Sequence, residues 1–89
     1  MLLRKWNYDV RSYEHYEVSD EWDCRYYGND MSEMINCVQC GNKVRFGDCY
    51  SSQEVHTDMG FGYMVCEECH EVEMKRQVFD YMKRGAENE

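Results

Sequence analysis

The chain has no proline, only six glycines among its 89 residues, and no apolar run approaching the 18 or so residues a membrane helix needs. Nothing of linker composition divides it and no segment repeats, so its length allows one domain with a modest core. Positive charge is scarce as well: ten Lys and Arg stand against 18 Asp and Glu, for a formal net charge of −8. The deficit is spread out, with four basic against eight acidic residues in 1–36, two against three in 37–65, and four against seven in 66–89. No segment is a net-basic arm. Such a chain repels a phosphate backbone and is steered toward cationic protein surfaces. It also lacks an apolar signal stretch at its start, so a reducing, cytoplasmic setting is expected.

Cysteine is what the chain has in surplus. Four of its six cysteines form two Cys-x-x-Cys pairs, Cys37/Cys40 and Cys66/Cys69, with 25 residues between them. Two residues between cysteines let both sulfurs reach one ion, and four thiolates complete a tetrahedral shell, the donor set of structural zinc. One structural Zn²⁺ is therefore expected on Cys37, Cys40, Cys66 and Cys69. A shell closed by four protein ligands leaves no position for water or substrate, which favours a scaffold over a catalyst. In a chain this small the metal also supplies folding free energy, on the order of 10–16 kcal/mol in comparable modules.

Around these pairs the pattern is that of a small α+β domain. Cys37-Val-Gln-Cys-Gly41 reads as a knuckle, with backbone amides aimed at the sulfurs and Gly41 reversing the chain. Val44 to Phe46 and Tyr50 to Thr57 are strand material, Asp58 to Gly60 a turn, and Phe61 to Val65 the returning strand. Cys66 then opens a helix: Glu67, Glu68 and Glu71 suit its positive end, and Lys83 and Arg84 its negative end before Gly85. The expected organisation is an aromatic N-terminal extension, 1–36, packed on a metal module, 37–84, with an acidic flexible tail at 85–89. The extension holds seven of the 13 aromatics, and its alternation fits two strands, one irregular strand or a solvated arm. Ser32 to Ile35 reads as a short helical turn entering the metal site.

Knuckle, hairpin and a helix carrying the last two ligands resemble the treble-clef zinc-finger family, over residues 37 to about 84. The whole chain, through Asn36-Cys37-Val38-Gln39-Cys40-Gly41, Phe46-Gly47-Asp48, Gly60-Phe61-Gly62-Tyr63 and Val65-Cys66-Glu67-Glu68-Cys69, also resembles small uncharacterised zinc-finger proteins of bacteriophages and prophages. That resemblance implies a bacterial cytoplasm and brings no activity with it.

Other candidates are weaker. His70, next to Cys69, is an alternative ligand, and His56 is the residue to test for hydrolysis, since treble-clef nucleases use histidines; no second histidine and asparagine accompany it. Cys24 and Cys49 read as small buried thiols. Lys43, Arg45, Lys75, Arg76, Lys83 and Arg84, with stacking aromatics, would serve DNA or RNA binding, the alternative function. The helix has two apolar faces: Val72, Phe79 and Met82, and Met74, Val78 and Tyr81. The expected function is a non-enzymatic protein-interaction or adaptor module, used by a phage on a host protein with a basic surface. Met74, Val78 and Tyr81, with Trp6 and Trp22, are its candidate interaction residues, and its oligomeric state stays open.

Overall fold

The structure, a computed structural model, describes the backbone of residues 1–87 and the side chains as far as Lys83. Six strands precede one long helix: β1 (Leu2–Asn7), β2 (Ser12–Glu17), β3 (Met34–Asn36), β4 (Lys43–Arg45), β5 (Tyr50–His56), β6 (Gly62–Val65) and α1 (Glu67–Glu87). Four form one antiparallel sheet in the order β2-β1-β5-β6, and β3 and β4 form a small hairpin of their own.

The aromatic N-terminal segment thus supplies half of the main sheet. β1 and β2 pair over their full length, Leu2 opposite Glu17 through Asn7 opposite Ser12. β1 then joins the central strand, with Arg4 opposite His56 and Lys5 opposite Val55. Leu3 and Val18 turn inward from this hairpin to meet Val38, Val55, Val65, Cys37 and Cys66 in the core. Two metal-site cysteines are therefore core residues, which fits a chain too short to build a large apolar interior.

Residues 34–36 are a strand and not the helical turn the sequence suggested. Ile35, fully buried, lies opposite Val44 across the hairpin that carries the knuckle at its tip. Cross-strand pairing overrides a weak local preference there. Between Ser51 and His56, β5 advances five residues while β6 goes from Met64 to Gly62. This irregularity buries Glu54 and Val55 in succession, which strict alternation forbids. Gly62 permits it, because a Cβ at that position would run into the carbonyl oxygen of Ser52.

α1 starts as expected, one residue after Cys66, and continues to Glu87, past Gly85. Of the tail expected at 85–89, residues 88 and 89 lie outside the described part. The helix rests on β5 through Glu73, which is fully buried, while Val72, Met74, Val78, Phe79, Tyr81 and Met82 are all exposed. Neither apolar face is sealed against the body. No helix among the described residues is long and apolar enough to cross a membrane.

Candidate metal centre

The knuckle hairpin and the start of α1 bring the four paired cysteines together. One ligand atom from each of Cys37, Cys40, Cys66 and Cys69 lies within 4.8 Å of every other, and the sulfurs of Cys40 and Cys66 are 3.8 Å apart. A tetrahedron with metal–sulfur bonds of about 2.3 Å has edges of about 3.8 Å, so the cluster is the right size for one ion. All four are free thiols, as are Cys24 and Cys49.

Local structure explains the convergence. Gly41 has φ +79°, and its N–H donates to the Cys37 carbonyl at 2.8 Å, closing the knuckle. A Cβ on Gly41 would overlap the Trp22 indole, which packs over the turn. Asn36 braces it from below, its amide donating to the Gly41 carbonyl at 2.8 Å. In the helix, Cys66 and Cys69 are three residues apart on one side of the first turn.

The electrostatics suit a cation. Burial works to raise the Cys37 thiol, yet the backbone amides of Cys66, Cys40 and Gln39 aimed at its sulfur outweigh that and hold it below the ordinary value. Cys40 and Cys69 are pushed up, first by burial and then by the neighbouring sulfurs. Four sulfurs this close repel once ionised, and a divalent ion between them removes the conflict. The donor set can hold one metal ion.

The other titratable candidates sit elsewhere. His70 stacks on Tyr50, with ring centroids 4.3 Å apart and planes within 8°, outside the cluster. His56 faces the Tyr13 hydroxyl at 3.2 Å, and burial, helped by Arg4, holds its pKa below the ordinary imidazole value. Cys24 and Cys49 are half-buried, and burial pushes both thiols up to about 11. Trp6 lies edge-on to Tyr13 at 5.1 Å in the main sheet. Trp22 is at the knuckle, so neither tryptophan joins Met74, Val78 and Tyr81 on the outer side of α1.

A buried polar network behind the ligands was not foreseen. Glu54 on β5 and Glu73 on α1 are 1% and 0% exposed. The side-chain amide of Gln39, inside the knuckle, donates to both, at 2.9 Å to Glu54 and 2.8 Å to Glu73. Arg76 closes a bidentate pair on Glu54 with two bonds of 2.7 Å. Glu73 also accepts from the Ser52 hydroxyl at 2.7 Å and the Gln53 N–H at 2.6 Å, while Lys5 donates to Gln39 at 3.1 Å. Two carboxylates thus share one amide; one guanidinium pairs with Glu54, and an ammonium holds the oxygen of the shared amide. A signal for Glu73 did exist: it stands four residues after Cys69 and seven after Cys66, on the ligand side of the helix. For Glu54 no such signal exists, because the irregularity in β5 puts it inside.

Comparison with family models, curated proteins and solved structures returns no match. Function therefore has to be argued from the geometry.

Proposed function

We propose that the chain is a non-enzymatic, zinc-stabilised protein-interaction module of treble-clef-like build, with one structural Zn²⁺ on Cys37, Cys40, Cys66 and Cys69. Zinc suits the site because it takes four thiolates in a tetrahedron without redox chemistry, and the knuckle amides at the Cys37 sulfur offset the concentrated charge. A reducing bacterial cytoplasm, which keeps the thiols available, belongs to the same proposal.

The observation that carries the interaction reading is how α1 is mounted. It is anchored through Glu73 and Arg76, and its outward side keeps Met74, Val78, Tyr81 and Met82 in water at 40%, 53%, 71% and 67% exposure. With Phe79, also 71% exposed, the two rings alone present roughly 200–350 Å². Three more apolar side chains bring the patch to the size that marks an interaction site on a small protein. Carboxylates dominate the remaining surface and steer a basic partner. Nucleic acid is less well served, since Arg25 is held by Asp23 and Glu33, Arg45 by Asp48, and Arg76 by Glu54.

Affinity capture from bacterial cytoplasm under nuclease treatment tests this, using the zinc-loaded protein and a Met74, Val78 and Tyr81 triple-alanine variant that retains zinc. A specific protein recovered by the first and lost by the second is expected. Salt-sensitive, low-micromolar binding to purified DNA or RNA, with no protein recovered, would replace the proposal with a nucleic-acid function.

A further inference from the structure

We propose that Cys40 is a modification site for peroxides: its sulfur, once metal-bound, is the first of the four ligands to be oxidised, and it is then joined to Cys66 with loss of the ion. This rests on the zinc reading of the four-cysteine site and goes beyond it. The four ligands are not equally covered. Cys37 and Cys66 are 0% and 9% exposed and belong to the core, and Cys69 is half-buried, whereas Cys40 stands open to solvent. The cause is local, since the knuckle turn that Gly41 closes lies beyond the last strand pair of its hairpin, Asn36 opposite Lys43. Hydrogen bonding divides the knuckle pair in the same sense. The Cys37 sulfur takes the backbone amides of Cys66, Cys40 and Gln39, while the Cys40 sulfur takes that of Asn42. Amides aimed at a thiolate stabilise its charge and make it a poorer nucleophile. The most exposed ligand is thus also the less restrained member of its pair.

Zinc holds its ligands as thiolates at neutral pH, while an unligated cysteine, with an ordinary pKa of about 8.5, is mostly thiol there. Cys24 and Cys49, half-buried outside the cluster, are therefore slower targets. In the first step the Cys40 sulfur attacks a peroxide oxygen. An S–O bond forms, the O–O bond breaks and hydroxide leaves, so the sulfur loses two electrons and the peroxide gains them. The Cys66 sulfur, 3.8 Å from that of Cys40, then attacks the sulfenic sulfur. An S–S bond forms, the S–O bond breaks and a second hydroxide leaves; both hydroxides take protons from solvent. Cys37 and Cys69 alone cannot close a tetrahedral shell, so the site no longer holds its ion. A dithiol that reduces the disulfide restores all four ligands.

Hydrogen peroxide added to the full, zinc-loaded chain tests the assignment, with a chromophoric chelator reporting released metal and peptide mapping following each cysteine. Zinc release should keep pace with formation of the Cys40–Cys66 disulfide while Cys37 and Cys69 remain reduced, and dithiothreitol with added zinc should reverse both. Dimedone present during the reaction should mark Cys40 ahead of the other three ligands. Cys40→His offers the metal a nitrogen in place of the exposed sulfur and is expected to retain zinc and slow its release roughly tenfold or more. Cys69→His should leave release as fast as in the wild type. Should Cys40→His fail to bind zinc, the mapping of the wild-type chain decides. Retention of zinc through a large peroxide excess, or oxidation of Cys37, Cys66 or Cys69 while Cys40 stays reduced, would overturn the proposal. A chain that takes up no zinc before oxidant is added would overturn the zinc reading with it, so the two failures are told apart.

Discussion

Removing the Glu73 carboxylate should destabilise the zinc-loaded protein by about 3 kcal/mol, although the residue ligates nothing. Its two oxygens take three hydrogen bonds, from Ser52 at 2.7 Å, Gln39 at 2.8 Å and the Gln53 N–H at 2.6 Å. Each bond to a charged acceptor is worth about 1.5–3 kcal/mol net. The losses are not all felt in full: Gln39 keeps Glu54, Gln53 is exposed enough to find water, and Glu54 is relieved of a like-charged neighbour. Ser52, 2% exposed, is the donor left stranded. Three kcal/mol is a large part of the roughly 5–15 kcal/mol that holds a domain folded. In urea titrations at fixed, saturating zinc, Glu73→Ala should lower the midpoint by about 2 M at an unchanged slope. Glu73→Gln should fall between, because its amide group sets a donor against a donor. A Glu73→Ala midpoint within about 0.3 M of wild type would refute the view that this carboxylate locks the helix to the sheet.

Three further outcomes are expected. Protein purified without added metal should carry about one equivalent of zinc, and Cys40→Ala should lose both zinc and cooperative unfolding whereas Cys24→Ala keeps both, as metal analysis and thermal melts can check. Gly41→Ala should cost about 2 kcal/mol or more, read from urea unfolding, since φ +79° and the Trp22 ring both oppose a side chain there; a neutral effect would contradict the packed turn. His56, whose folded pKa is depressed by burial and by Arg4, binds its proton more readily when unfolded. Its contribution is therefore complete above the ordinary imidazole value of about 6.5 and is lost as pH falls from there through the lower folded pKa; an NMR titration placing His56 at or above that value would contradict this.

What could be read from the chain was what is local. The Cys-x-x-Cys pairs, the glycine at the knuckle, the turn at Asp58 to Gly60 and the helix beginning at Cys66 each lie within a few residues, where spacing and turn chemistry act directly. The pairing of Lys5 with Val55 spans fifty residues, and nothing in the alternation of the first segment says which strand it joins. The burial of Glu54 depends on an irregularity in β5, and the burial of Glu73 on Gln39 being available to receive it. A carboxylate in sequence carries no mark of its eventual partners, so the general rule that acids are solvated pointed the wrong way at these two positions. The outer side of α1 was visible as apolar spacing, but its exposure follows from the helix being held by charged residues.

Gln39 sits between two cysteines of the knuckle and hands its amide to carboxylates on the central strand and on the helix. With the proposed ion in the four-cysteine site, that would tie helix docking to metal capture. Were the knuckle to open when the proposed ion is absent, Glu54 and Glu73 would lose their common donor and keep Arg76 as the one guanidinium between them. Docking of the helix would then rest on the Arg76–Glu54 pair, with the Glu73 carboxylate short of one of its three donors. A chain that has not captured its metal should keep α1 away from the sheet and offer proteases the whole C-terminal third, whereas a loaded chain hides it. Cellular zinc supply would in that way set how long each newly made copy survives.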